Sequence, residues 1–222
     1  MKLNILVMLV AIGVASVARA DTNLSRWEVD ASAGAAYVTD PSFDLVGGND
    51  ALAAWNVRAN VAPGWMQRRL EISAGFQGNG EGGSTFQTWQ TSLTVRTLQL
   101  GLIYRQPIRG PFLVYGRAVG LFDFDHMELW TTDDSLHLQQ STNTFGVEAS
   151  VGGEVIAVNW ERASLGFDLE VGYALRFSAA HFDTMKPDDG GAKPAPVAFA
   201  PVNVGGINLS GIQWRLGAAV HF

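Results

Sequence analysis

The chain of 222 residues contains no cysteine, so disulfide staples and thiolate metal sites are excluded. Lysine is nearly absent: only Lys2, Lys186 and Lys193 occur, and the last two share one Gly/Pro-rich stretch. With no basic cluster and more acid than base, nucleic acid is excluded as a partner. Charged residues make up only 16% of the chain. Beyond the first twenty residues no apolar run approaches the roughly 20 residues that a membrane-crossing helix needs.

What is present begins with an export signal over residues 1–20. Lys2 supplies the positive start, Ile5–Val17 the apolar core, and Ala18-Arg19-Ala20 a small-x-small cleavage site before Asp21. The apolar core is about 13 residues, too short to span a bilayer as a helix. The mature chain is therefore read as Asp21–Phe222, one domain, and the absence of a Cys at its start excludes a lipid anchor. Without Lys2 and Arg19, 13 of the 15 basic residues remain against 21 acidic ones, a net charge of −8. A mean hydropathy of +0.11 with 25 glycines fits a surface that faces lipid better than one that faces water.

The closing residues IQWRLGAAVHF alternate strictly: Ile212, Trp214, Leu216, Ala218, Val220 and Phe222 on one face, polar or small residues on the other. Period two is the signature of a half-buried strand. Working back from Phe222 gives eight strands, over 27–38, 51–61, 70–77, 85–104, 112–124, 145–157, 163–177 and 207–222. The connections alternate between short turns (62–69, 105–111, 158–162) and longer loops (39–50, 78–84, 125–144, 178–206). That is the rhythm of an all-β, antiparallel, up-and-down transmembrane barrel, with short turns periplasmic and long loops extracellular. On this phasing no charged residue falls on the lipid face, where Arg or Lys would cost about 2–4 kcal/mol at the midplane. Aromatic residues gather at both rims: Trp27, Trp65, Tyr104 and Trp160 on one side, Tyr37, Phe76, Trp89, Phe122, Phe145 and Phe177 on the other.

In SLTVRTLQLGLIY the apolar set slips from Leu93 and Val95 to Leu98, Leu100 and Leu102. The slip predicts a β-bulge near Arg96–Thr97, the alternative being a turn there and a ten-stranded barrel. The inward face then carries Glu28, Asp30, Arg58, Glu71, Arg96, Arg117, Glu148, Glu154, Asp168, Glu170, Arg176 and Arg215. An eight-stranded barrel is filled by its own side chains, so these charges must pair. Adjacent strands suggest Arg215 with Asp168 or Glu170, and Arg117 with Glu148 or Glu154. The set is either a polar plug or a narrow pore whose ion pairs gate it.

Twelve of the 21 acids fall in or beside the long loops. Beside anionic lipopolysaccharide such carboxylates could hold bridging Ca²⁺ or Mg²⁺, but no segment has an EF-hand-like spacing, so these are read first as solvated charges, and no resident metal or other cofactor is expected. The third loop, with Asp125, His126, Glu128, Trp130, Asp133, Asp134 and His137, reads as a projecting hairpin whose edges offer a surface-binding site. The fourth loop, rich in Pro, Gly and Ala, reads as mobile. Ser135 and His137 would share a strand face, but no orienting third group is evident beside them, so no enzyme is expected.

The export signal, the eight alternating strands and the terminal Trp214, Val220 and Phe222 resemble the small outer-membrane barrels of the OmpA-transmembrane, OmpX and OmpW type. The resemblance implies residence in the outer membrane and contact with its lipid and lipopolysaccharide. It also implies insertion by the barrel-assembly machinery, for which the C-terminal strand is the signal. OmpX-like members are associated with a protruding loop sheet and surface adhesion, which the third-loop hairpin matches. OmpW-like members are associated with passage of small hydrophobic molecules, which the charged interior does not favour. Lipid A deacylase barrels carry a His-x-Ser pair that this chain lacks. The expectation is a structural or adhesin-like surface protein with an unidentified extracellular ligand, then a narrow channel, and last a lipid-modifying enzyme.

Overall fold

The computed structural model describes residues 26–46, 50–63, 69–85, 89–133, 136–187 and 203–222. The expected export signal, Trp65, Arg68, Asp134, Ser135, Asp188, Asp189 and Lys193 lie outside the described residues. In chain order the strands are β1 Trp27–Val38, β2 Ala51–Val61, β3 Leu70–Thr85, β4 Trp89–Arg109, β5 Phe112–Thr131, β6 His137–Asn159 and β7 Ser164–Arg176. Three short pieces follow, β8 Ala180–Phe182, β9 Lys186–Pro187 and β10 Gly205–Ile207, and then β11 Gly211–His221.

Each of β1 to β6 pairs antiparallel with the next, β7 pairs with β11, and β11 closes on β1. Eight strands form one closed barrel. Closure pairs the edges an open sheet would expose, and the seam runs to the end of the chain, where the Phe222 amide donates to the Trp27 carbonyl at 2.8 Å. The turn between β4 and β5 is tight because Gly110 adopts φ +60°, a left-handed conformation that a side chain disfavours.

β4 runs without interruption and keeps register with both neighbours through Arg96 and Thr97. The expected bulge is therefore absent, and so is the turn that would have made ten strands. The register shifts of the barrel lie instead at the turn end, between Pro107 and Arg109 and between Ile156 and Val158. Pro107 has no amide to give to a ladder, which suits a bulge.

The apolar slip has a different cause. Leu93 and Val95 point inward and are fully buried, while Leu98 and Leu100 point outward and are 48% and 66% exposed. β5 inverts in the same way between outward Phe124 and inward Met127, and β6 between inward Leu138 and outward Phe145. The strand phase is constant; what changes is the face that carries hydrocarbon. Three adjacent strands make that change at one level.

Above that level β4, β5 and β6 continue as a tall wall. They span 21, 20 and 23 residues, against 11 to 13 for β1, β2, β7 and β11. At about 3.3 Å per residue the excess projects on the order of 30 Å, shared between the two ends of the barrel. The third loop is thus an extension of barrel strands, joined by a short turn after Thr131.

The wall supports a dome over the barrel mouth. A 3-10 helix at Pro41–Leu45 brings Phe43 and Val46 over the opening, and β8 and β10 pair to bring in Ala180, Phe182 and Ile207. These meet Leu93, Val95, Met127, Leu129, Leu138, Met185 and Leu209 in one buried apolar cluster. Trp89, expected at an aromatic rim, packs against this cluster instead. Residues 188–202 of the fourth loop, expected to be mobile, lie outside the described residues; on either side of them Phe182, Met185, Ile207 and Leu209 are buried in this cluster.

Candidate functional site

The lumen is filled by charge. Nine buried acids, Glu28, Asp30, Glu71, Asp123, Asp125, Glu148, Glu154, Asp168 and Glu170, meet five buried arginines and His221. Alternation puts these side chains inward, and antiparallel register stacks them in layers.

At the turn end Arg105 reaches Glu28, Glu71 and Glu154, with Nε donating to Glu71 at 3.2 Å. His221 sits between Glu154, at Nε2, and Glu28, at 3.3 Å from Nδ1. The next layer centres on Arg58, whose Nε donates to Asp30 at 2.8 Å and whose other nitrogens face Glu170 and Asp168. The Tyr115 hydroxyl donates to Asp168 at 2.7 Å, and its ring lies under the Arg105 guanidinium. Gly217 belongs to this layer for a steric reason: the Asp30 and Asp168 carboxylates occupy the place its side chain would take.

Above it, Arg215 holds both oxygens of Glu148 at 2.8 Å, contacts Glu170, and donates to Gln77 at 2.8 Å. Arg117 pairs with Glu148 and with Glu170 at 3.0 Å. Glu170 is therefore shared by Arg58, Arg117 and Arg215. A ladder of Asn56, Gln99, Gln77 and Gln213 fills the wall beside them. At the mouth Arg176 donates to Asp123 at 2.8 Å and to the Leu209 carbonyl at 3.0 Å, tying the lumen to the dome.

Of the residues the sequence singles out, Arg58, Arg117, Glu148, Glu154, Asp168, Glu170, Arg176 and Arg215 lie together in this network. The partners differ in detail. Arg215 takes Glu148 and Glu170 but not Asp168, and Glu154 belongs to Arg105 and His221, not to Arg117. Arg96 is a correction: with no bulge to turn it inward, it faces outward and is exposed, level with Phe124 on β5 and Gly78 on β3. Arg105 is the opposite correction. Read as a turn residue, it is 3% exposed in the lumen, because β4 continues to Arg109.

The third-loop residues divide by strand parity. Asp125 points inward, is 1% exposed and accepts from Thr144 at 3.0 Å, so it is no part of a binding surface. His126, Glu128 and Trp130 project from the outer side of β5, and His137 from β6 beside Trp130. Asp133 is exposed at the turn. The register sets His126 directly opposite Ser141. The imidazole Nδ1 lies 2.8 Å from the Ser141 hydroxyl and Nε2 3.0 Å from Glu128, while His137 lies 3.7 Å from the other Glu128 oxygen. Ser141 escapes linear inspection, yet folding the hairpin about residues 133–134 would have placed it there.

Within the first loop, Asp40 caps the 3-10 helix by accepting from the Ser42 amide at 2.9 Å, and it accepts from the Asn208 amide at 2.6 Å. These two backbone donors hold its carboxyl below the ordinary carboxylate range. One aspartate thus joins the first loop to the fourth.

The outer surface is apolar around the barrel, with Trp27, Val57, Leu100, Val151, Phe167, Leu169, Val171 and Leu216 all exposed. So continuous a belt far exceeds what a water-facing monomer shows. Trp214 and Phe222 are exposed on it, and Val220 is half-buried. Among the described residues, Glu28, Glu154 and His221 alone are close enough together to hold a metal ion. Arg105 already occupies the carboxylates of both glutamates.

The chain has the eight-stranded antiparallel barrel fold of small outer-membrane proteins. A major outer-membrane protein of Thermus thermophilus shares it, with a TM-score of 0.53 and 18% identity over 89% of this chain and 99% of that one. Neisserial surface protein A aligns with a TM-score of 0.49 and 11% identity over 88% and 97%. Ail, the attachment invasion locus protein of Yersinia pestis, aligns at 0.48 and 9% over 89% and 99%. No protein-family model and no curated protein sequence matches the chain.

Proposed function

We propose that this protein spans the outer membrane as a closed, non-conducting barrel and presents the β4–β6 wall and dome as a binding surface. The observation that carries this reading is the double seal. Arg58, Arg105, Arg117 and Arg215 cross-link the lumen in layers, and the apolar cluster around Phe43 and Phe182 covers the mouth. Passing an ion would require breaking several buried pairs at once, and each uncompensated charge costs about 3–5 kcal/mol. The common level at which β4, β5 and β6 invert fits a boundary between lipid and water. Below it the outside is hydrocarbon; above it the wall obeys the ordinary rule of apolar residues inside.

Arg96, exposed beside Phe124 at that boundary, suits the phosphates of lipopolysaccharide or of phospholipid. The exposed Trp214 and Phe222 suit recognition by the barrel-assembly machinery. The adhesin-like role falls to the outward residues His126, Glu128, Trp130 and His137, whose ligand is an extracellular molecule of unassigned class.

The test is single-channel conductance of the refolded mature chain in a planar bilayer, with folding checked by heat-modifiable gel mobility. The expected result is a silent bilayer containing folded protein. Reproducible conductance steps would replace the sealed reading with a channel.

A further inference from the structure

We infer that Ser141, His126 and Glu128 form a hydrolytic relay on the outward face of the β5–β6 wall, acting on an acyl ester presented at lipid-headgroup level. The geometry supplies the three roles. Ser141 is exposed and hydrogen-bonded at 2.8 Å to His126 Nδ1, and Glu128 holds the opposite nitrogen at 3.0 Å. Because Glu128 accepts from Nε2–H, the proton is kept on that nitrogen and the Nδ1 lone pair is left to face the serine hydroxyl. That is the tautomer a general base needs. The arrangement is held by strand register rather than by a loop: His126 and Ser141 are directly paired, and Glu128 is the next outward residue on β5.

The location selects the substrate class. On β5 the outward residues preceding His126 are Phe124 and Phe122, which pack edge-on at 4.6 Å, and Phe122 packs on Phe145 of β6 at 4.7 Å. The relay thus stands one outward step, about 7 Å, beyond an aromatic cluster. On the reading that the barrel spans a membrane, this cluster lies where acyl chains meet headgroups. An ester carbonyl lies at that depth in glycerophospholipids and in acylated glycolipids alike. Asn143, exposed as the next outward residue on β6, places a carboxamide donor on the side of Ser141 nearest the aromatic cluster.

The chemistry balances without a cofactor. Ser141 Oγ attacks the carbonyl carbon as its proton passes to His126 Nδ1. The ester C–O bond breaks, and His126 returns that proton to the leaving alcohol. Water, deprotonated by His126, then attacks the acyl-serine, the bond from the acyl carbon to Ser141 Oγ breaks, and His126 gives its proton to Oγ, releasing a carboxylic acid and the free hydroxyl. Glu128 is a positioning residue, acting through the imidazole it holds.

The experiment uses the mature chain refolded into phosphatidylcholine vesicles, with each variant checked for heat-modifiable mobility. A soluble fluorophosphonate probe reports the relay independently of membrane placement. Labelling of Ser141, read by intact mass and peptide mapping, is expected, and Ser141→Ala abolishes it. His126→Asn slows it by about 10²–10⁴-fold, the usual range for loss of a general base. Glu128→Ala slows it less, and Glu128→Gln, whose carboxamide oxygen still accepts from Nε2–H, restores part of the loss, a rescue that a merely structural role would not give. Ser164→Ala, at the opposite end of the barrel at the start of β7, leaves it unchanged. A merely structural polar ladder gives no labelling in folded protein, and that result, or labelling that survives Ser141→Ala, overturns the relay.

Fatty-acid release is then measured from the same vesicles with and without added lipopolysaccharide. Ser141-dependent release from the plain vesicles identifies phospholipid, and release only after addition identifies the glycolipid. Probe labelling with release from neither overturns the lipid assignment while leaving the relay in place.

Discussion

The interior below the level of Asp123 and the dome above it are built from opposite materials. In the lower part Arg58, Arg105, Arg117 and Arg215 hold eight strands together through carboxylates. In the dome Phe43, Leu93, Met127, Phe182 and Ile207 do the same work with hydrocarbon. β4, β5 and β6 run through both regions in one register, so backbone geometry does not separate them. On the reading that the barrel spans a membrane, the medium outside does. Where the outer face must be apolar, the polar residues of an alternating strand have only the lumen to occupy, and they must pair there. Where the outer face meets water, alternation is free to put hydrocarbon inside. The lower seal is strong and brittle, and the upper one is graded.

The largest expected effect tests the brittle half. Arg215→Ala removes a buried guanidinium from Glu148, Glu170 and Gln77 and is expected to destabilise the barrel by about 3–5 kcal/mol. Urea unfolding in vesicles, followed by tryptophan fluorescence, reads it directly. An unchanged midpoint would mean that Arg117 and Arg58 satisfy both glutamates alone, and the layered account of the lumen would fail.

The graded half responds differently. Phe182→Ala empties a fully buried site in the dome and is expected to cost about 3 kcal/mol within that unit. Because, among the described residues, β8 pairs only with β10, the loss should appear as faster amide exchange over residues 180–187 and 205–209. The urea midpoint of the barrel should stay where it is. A matching fall in that midpoint would show the two regions to be one cooperative unit.

A smaller effect lies at Asp40, which joins the first and fourth loops. Asp40→Ala should loosen the dome by about 1 kcal/mol, the usual worth of a cap. The pH dependence has a definite sign. The folded carboxyl is held below its ordinary value of 3.8, so its contribution is complete above that value and is lost as pH falls through the lower folded value. Amide exchange at Ser42 and Asn208 should therefore rise below about pH 4 in the parent chain. In Asp40→Ala it should already be raised at neutral pH.

How far the sequence carries depends on which half is read. Alternation in Trp27–Val38, Ser164–Arg176 and Gly211–His221 gives the barrel, its strand count and most lumen residues, since parity alone decides inside from outside. Two things escape it. Parity does not tell which medium lies outside, so alternation alone assigns Leu93 and Val95 to lipid and needs a bulge to reconcile them with Leu98. Nor does it give cross-strand partners at long range: Arg105 with Glu28, and Arg215 with Glu148, are set by barrel closure and tilt. Ser141 opposite His126 is a nearer case, legible once the hairpin turn is centred.

The smallest expected effect is the sharpest on this point. If a bulge turned Arg96 into the lumen, Arg96→Ala would strip a partner from buried carboxylates and weaken the barrel as Arg117→Ala should. On the continuous register Arg96 is exposed beside Phe124, and its removal should change the unfolding free energy by no more than about 0.5 kcal/mol. What it should change is the lipid preference. A guanidinium near an anionic surface is worth about 1 kcal/mol, so vesicles rich in phosphatidylglycerol should stabilise the parent over Arg96→Ala, and zwitterionic vesicles should not. The two variants, Arg96→Ala and Arg117→Ala, remove the same side chain from opposite faces of one sheet, on the neighbouring strands β4 and β5. Their contrast in the same unfolding assay therefore measures how strictly the outer and inner faces of this barrel are kept apart.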